Sequence, residues 1–375
     1  MSRRITSPDD LGLGVLCARL SVLAPALEQH AAWPAAQLRL CGEAGVFEWF
    51  VERELGGQGW SEAEVLRGYV KLAAACLTTT FVITQRTGAM GRIAASANAG
   101  VREALLPDLL AGRSFATVGI SHLTTSRQHV APVLRAIEQG GGFVLDGYSP
   151  WVTGAEFAQH IVLGATLEDR RQILVAMPTD LPGVRIERSP ELVGLSASRT
   201  GPAHCEGVFV PRHWLLAGPV PEVMKQGAGA KTGGLQTSAL AIGLAGAAIE
   251  FLRAQTESRR ELADPAAALA DERDELLGAM LNLAVEAPLS PHPRPLSHEG
   301  RGEESCGLTA AELRGRANSL ALRASQAALA AAKGAGYVAG HPAGRWCREA
   351  LFFLVWSCPA PVVQANLCEL AGIVE

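Results

Sequence analysis

The chain has 375 residues and a mass of 39.4 kDa, with 48% hydrophobic and 19% charged residues, which supplies real cores and excludes a disordered polymer. Its 33 Lys and Arg against 37 Asp and Glu leave a net charge of -4, so no basic surplus exists to neutralise a phosphate backbone and nucleic acid is excluded as a partner. The longest apolar stretch, Ala239 to Leu252, carries Glu250 and falls short of the roughly 20 residues a bilayer requires.

The opening Met1 to Asp10 lacks the apolar segment of a signal peptide, so a cytoplasmic protein without a membrane span is expected. Residues 10–112 read as helices. Leu38 to Ala44 is an amphipathic run, Ser61-Glu-Ala-Glu64 is a capping box opening the next helix, and Leu55-Gly-Gly-Gln-Gly59 is the sharp loop between them. From residue 114 to 215 short β runs take over: Gly142 to Gly147, His160 to Ala165, Ile173 to Met177 and Gly207 to Pro211. Asp146-Gly147 predicts a hairpin turn, and the spacing suits a small barrel or sandwich.

Beyond Pro221 the chain becomes rich in Ala and Leu, and helices are predicted over 236–256, 266–287, 309–332 and 344–356, with Thr309-Ala-Ala-Glu312 capping the third. The Pro, Gly and charge of Ser290 to Glu304 predict a solvent-exposed disordered insert over about 288–307. The expected fold is therefore α+β and mainly α: an N-terminal helical domain (1–112), a middle β-barrel or sandwich domain (113–217) and a C-terminal helical bundle (218–375).

Few local motifs carry chemistry alone. Gly227-Ala-Gly-Ala-Lys-Thr232 lacks the glycine spacing of a phosphate loop and no apolar strand directly precedes it. Gly194 to Ser198 lacks the final glycine of a nucleophile elbow. The 9 histidines never repeat at i, i+3 or i, i+4, and the 8 cysteines form no C-x-x-C pair, so no metal site is expected. Cys17, Cys76 and Cys368 lie among apolar neighbours, as buried free thiols do.

Three segments stand out. Gly119-Ile-Ser-His-Leu-Thr-Thr-Ser126 gathers hydroxyls and the His122 imidazole where the first β run ends; it reads equally as a ligand loop or a polar turn. Trp151-Val-Thr-Gly154 could flank a planar ring or cap a β core. Lys333-Gly-Ala-Gly-Tyr337 breaks a helix, and the arginines of Arg345-Trp-Cys-Arg348 could pair with carboxylate or phosphate or stay solvated.

In order and spacing these segments resemble the acyl-CoA dehydrogenase superfamily. Leu55-Gly-Gly-Gln-Gly59 is similar to its N-terminal Gly-Gly-x-Gly loop, and Leu105 to Gly112 to the lead into its β domain. Phe143 to Gly154 is similar to its hairpin ending in Trp-Ile-Thr. Leu181 to Val184 and Val208 to Pro211 resemble later β-domain landmarks. Gly334-Ala-Gly-Tyr337, Pro342, Arg345 and Arg348-Glu-Ala350 resemble its closing Gly-x-Gly-Tyr, Pro, Arg and Arg-Asp-Ala.

The resemblance implies FAD between the β domain and the bundle, with a second subunit completing the site in a homo-oligomer, a dimer or tetramer. By matching position, Ile120 and Ser121 would contact the isoalloxazine through backbone and hydroxyl, and Trp151 and Thr153 would pack against it and hydrogen-bond it. Arg259 or Arg260 would meet the diphosphate of the neighbouring subunit's FAD, and Gly334 would admit the adenosine end.

The implied activity is FAD-dependent oxidation of a CH–CH bond in an acyl thioester, such as an acyl-CoA, or a similar small molecule. The alternatives are a flavin-dependent monooxygenase and a non-catalytic oligomeric scaffold. Ser121-His122 stands where the family has Thr-Glu, Ser126-Arg127-Gln128 where it has Gly-Ser-Asp, and Glu261 follows Arg260 where it has Phe-Gly. The glutamate that removes the α-proton in many members is replaced by Ser357, which leaves the catalytic residue unknown and His122 as the candidate base.

Overall fold

A computed structural model describes residues 4–124, 131–227, 234–286, 308–356 and 360–373. Five helices come first: α1 (Leu11–Leu23), α2 (Ala35–Glu43), α3 (Glu62–Ala75), α4 (Leu77–Ala94) and α5 (Ala99–Leu110). Their starts are written in capping residues. The Asp10 carboxylate accepts from Gly12 N at 2.9 Å, and Ser61 and Glu64 form the expected reciprocal box. Trp49, Tyr69 and Leu72 are almost fully buried between them, and the Trp49 and Trp60 rings stack at 4.1 Å.

The middle of the chain forms one eight-stranded mixed sheet: β1 (Ala116–Gly119), β2 (Leu134–Gln139), β3 (Gly142–Thr153), β4 (His160–Thr166), β5 (Gln172–Pro178), β6 (Val184–Ile186), β7 (Thr200–Pro211) and β8 (Leu215–Val220). Hydrogen bonding runs in the order β6-β7-β3-β2-β4-β5-β8, with β1 parallel to β4. A short helix, α6 (Ser121–Thr124), follows β1.

The hairpin expected at Asp146-Gly147 is displaced. The turn lies at Gly140-Gly141, both at positive φ, while Asp146 pairs with Arg135 inside the β2–β3 ladder. Gly147, at φ +121°, instead adjoins a register shift against β7. Its Cβ would fall 2.1 Å from the Val133 carbonyl, so a glycine serves the irregular strand there.

The last part of the chain packs α7 (Gln236–Gln255), α8 (Ala263–Glu286), α9 (Ala310–Gly336), α10 (Pro342–Ala350) and α11 (Ala360–Leu370). Thr309 and Glu312 form the second capping box. The predicted helix over 344–356 stops earlier, and a 3-10 turn over Leu351–Leu354 carries the chain on. The predicted break in Lys333 to Tyr337 falls at Lys333, whose φ of 54° and ψ of -148° interrupt α9.

α7 presses on the N-terminal helices: a Cβ on Gly243 would meet the Val70 carbonyl of α3 at 2.5 Å and Ala73 Cβ at 2.8 Å. Only a glycine lets the two backbones approach so closely. By length and composition, Leu11–Glu28 and Gln236–Gln255 are both apolar enough to cross a membrane, a wider result than the sequence reading of Ala239 to Leu252. The second is two-thirds buried inside the protein, where it serves as a core helix.

Cys41, Cys76 and Cys205 are buried free thiols, while Cys17, Cys347 and Cys368 are only partly covered. The expected loop at 288–307 lies outside the described residues, as do Ser126 to Gln128, residues 228–232 of the glycine-rich segment, and Ser357 to Pro359.

Candidate functional site

The segment after β1 is held in place by two glycines. A Cβ on Gly119 would meet Leu163 at 2.5 Å and Ser149 Oγ at 3.0 Å; a Cβ on Gly164 would meet Leu123 Cδ1 at 2.3 Å. The first lets β1 lie flush beside β3 and β4, and the second leaves the hollow that Leu123 of α6 fills. The Ile120 carbonyl accepts from Leu123 N at 2.9 Å, closing the turn that sets Ser121 at the start of α6, half-buried.

His122 is turned inward. Its Nε2 lies 2.7 Å from the Gly164 carbonyl oxygen, and because a carbonyl only accepts, Nε2 carries the proton of the neutral ring. Nδ1 is then an acceptor, buried and without a partner among the described residues. Burial pushes the imidazole below its ordinary pKa, partly offset by the Gly164 bond, so the ring is neutral at pH 7.

At the end of β3 the side chains separate by environment. Trp151 is 57% exposed, whereas Val152 and Thr153 are buried. Thr153 Oγ1 lies 2.9 Å from Thr200 Oγ1, which lies 2.8 Å from Ser198 Oγ, so three hydroxyls form a chain. Ser198 and Thr200 escaped the sequence reading, because the Thr153–Thr200 pairing across β3 and β7 leaves no local signal. Thr117 and Ser149 add two buried hydroxyls without partners among the described residues.

Arg259 and Gly334 come together elsewhere, at the interrupted end of α9. Arg259 Nη1 donates to the Ala331 carbonyl at 2.5 Å and Nε to Glu261 Oε1 at 3.1 Å, so the guanidinium satisfies a carbonyl close to the Lys333 break. Gly334 has open space where a Cβ would be, so its own packing does not demand a glycine. Arg260 is exposed. Within one chain, then, Trp151 and Thr153 belong to the sheet, Ile120 and Ser121 to the turn and helix that follow β1, and Arg259 and Gly334 to the bundle.

The donor set suits a flavin dinucleotide. An exposed indole next to a buried hydroxyl chain matches a planar ring with a polar edge, and a half-covered guanidinium matches a diphosphate. Phe352 and Trp356 stack at 4.8 Å, and Phe81 of α4 meets both rings edge-on.

Helices, a mixed sheet and a helical bundle in this order are the architecture of acyl-CoA dehydrogenases. Residues 16–113 match the family model of the acyl-CoA dehydrogenase N-terminal domain. Over 339 residues, 86% of each chain, the sequence is 25% identical to a probable acyl-CoA dehydrogenase of Bacillus subtilis. It is 24% identical over 344 residues to the mitochondrial short-chain specific acyl-CoA dehydrogenase of Mus musculus, covering 88% of this chain and 80% of that one. A solved glutaryl-coenzyme A dehydrogenase in complex with glutaryl-CoA superposes with a TM-score of 0.78 at 18% identity, covering 97% and 96% of the two chains. The chain is thus similar to acyl-CoA dehydrogenases in sequence over most of its length, and shares their fold.

Proposed function

We propose that the protein is an FAD-dependent oxidoreductase of acyl-CoA dehydrogenase type, acting on a CH–CH bond of an acyl thioester. The observation that carries this reading is the exposed Trp151 indole beside the buried Thr153 hydroxyl, in a fold matched along its whole length by dehydrogenases. Bound FAD supplies a two-electron acceptor for hydride from carbon. Ile120 offers its backbone and Ser121 its hydroxyl to the ring edge, Trp151 offers a face for packing, and Thr153 a hydroxyl whose orientation Thr200 fixes.

Arg259 and Gly334, contributed by a second copy of the chain, would receive the diphosphate and adenosine portion, which makes the working unit a homo-oligomer, a dimer or tetramer. A serine at position 357 cannot take a carbon-bound proton near neutral pH. His122 Nδ1 is the proton acceptor this reading offers, since the Gly164 carbonyl fixes the ring with that buried lone pair unpartnered among the described residues. The relatives reported above are named dehydrogenases, which favours dehydrogenation over the oxygen-using and non-catalytic alternatives.

The test is anaerobic. Purified protein reconstituted with FAD should show a flavin spectrum near one equivalent, bleached by at least one member of an acyl-CoA panel. Protein that stays colourless after FAD addition, or flavin that no thioester reduces, overturns the proposal.

A further inference from the structure

A cavity of about 460 Å³ opens where the three parts of the chain meet. Its walls are the turn after Leu27, the start of α4, the loop joining β6 to β7, and α10 with the turn before it. That loop is pressed tightly on α10: a Cβ on Gly194 would meet the Arg348 carbonyl at 2.6 Å. The cavity is within the range of small-molecule sites.

Arg345 is the informative group. The residue is only 8% exposed, lines the cavity, and its Nη1 has no hydrogen-bond partner among the described residues. Its nearest carboxylate, Glu349, sits 3.8 Å from Nε, too long for a hydrogen bond, and accepts from Thr78 Oγ1 at 3.4 Å. The other cations of the cavity each hold a partner: Arg348 bonds Glu28, Arg199 bonds Glu156 at 2.6 Å although its Nε is also without a partner among the described residues, and Arg188 reaches His30 at 2.6 Å. A buried guanidinium with an unpartnered N–H, in a residue that lines a cavity, can receive an oxyanion.

We propose that this cavity binds the oxyanionic group, carboxylate or phosphoryl, of a small molecule on the Arg345 guanidinium, with Glu349 taking up a proton as the anion enters. The coupling follows from the surroundings. Burial raises Glu349 to about 7; Arg345, Thr78 and Arg348 oppose that rise while Glu28 reinforces it. Above that pH an ionised Glu349 neutralises Arg345 and repels an anion, and below it both effects vanish.

His30, which contacts Glu191 and Arg188, and Cys76 of α4, which senses Glu349, are the remaining titratable neighbours. The Cys76 thiol is pushed up to about 11 by burial and stays neutral across the range that matters. The proposal does not depend on the dehydrogenase reading.

Calorimetric titration of the full-length, FAD-saturated protein with sulfate and with acetate, both ionised throughout pH 6 to 8, tests it and separates the two anion classes. At least one anion should bind saturably, about tenfold more weakly at pH 8 than at pH 6, as coupling to one group titrating near 7 requires. Arg345→Lys should weaken binding on the order of tenfold, because one charge-assisted bond is lost while the charge stays. Glu349→Gln should bind at pH 8 as well as the parent does at pH 6, without pH dependence, whereas His30→Gln should keep that dependence.

Saturable binding by neither anion, unchanged affinity in Arg345→Lys, or pH dependence that follows His30 rather than Glu349 each overturns the proposal. Should Arg345→Lys fail to fold, the comparison of Glu349→Gln with the parent decides alone.

Discussion

Gly164→Ala tests how the segment after β1 is held. The new methyl would lie 2.3 Å from Leu123 Cδ1 and 3.2 Å from Leu123 Cγ, with Leu174 Cδ2 at an ordinary 3.5 Å. Leu123 is buried, so it cannot swing into solvent, and α6 must shift away from β4 with Ser121 and His122. Overpacking of this kind costs about 1–3 kcal/mol. Alanine recovers about 0.5–1 kcal/mol of backbone entropy relative to glycine in a strand, since Gly164 does not sit at positive φ. The expected net loss is therefore on the order of 1–2 kcal/mol in urea denaturation followed by tryptophan fluorescence. FAD affinity should fall as well, and adding Leu123→Ala should restore part of it by vacating the same space. A Gly164→Ala protein with parental stability and parental FAD affinity would refute the claim that the Leu123 contact positions α6.

Other consequences are as direct. Phe353 is fully buried and its carbonyl accepts from Asn318 Nδ2 at 3.1 Å; Phe353→Ala should cost about 3–5 kcal/mol in the same denaturation assay. Arg259→Ala should weaken FAD binding and increase amide hydrogen exchange near Ala331, because the guanidinium serves a carbonyl of α9. Glu349 affects stability through its protonation. Its folded pKa of about 7 lies above the ordinary 4.5, so its contribution is fully present below 4.5 and is lost as pH rises through 7. Against Glu349→Gln, whose stability lacks that titration, the parent should lose on the order of 3 kcal/mol between pH 4 and pH 8 in denaturant melts. A constant difference between the two proteins across that range would show that Glu349 does not titrate differently on folding.

The parts of the fold legible in the sequence are those fixed by local chemistry. Ser61-Glu64 and Thr309-Glu312 announce their helices because a capping box is complete within four residues. The Lys333 break was legible from its glycines for the same reason. Asp146-Gly147 misled because a glycine at positive φ serves a turn or an irregular strand equally well locally, and only β2, hidden in the mixed run Leu134 to Gln139, decides which. In the site, Trp151 and Thr153 could be named from a pattern, but their environments could not. The hydroxyls of Ser198 and Thr200 join Thr153 only through the β3–β7 register, and the inward turn of His122 depends on a carbonyl 42 residues away.

The Gly243 contact bears on how the chain is made. α3 receives α7 where no side chain fits between them, so the N-terminal helices gain a principal partner only after the entire sheet has been synthesised. During synthesis the surface of α3 around Val70 and Ala73 stands uncovered for that interval, and a chain cut after the sheet leaves it uncovered permanently. The first and last thirds thus mature as one cooperative unit, and a fragment ending before α7 should need a chaperone to avoid aggregating.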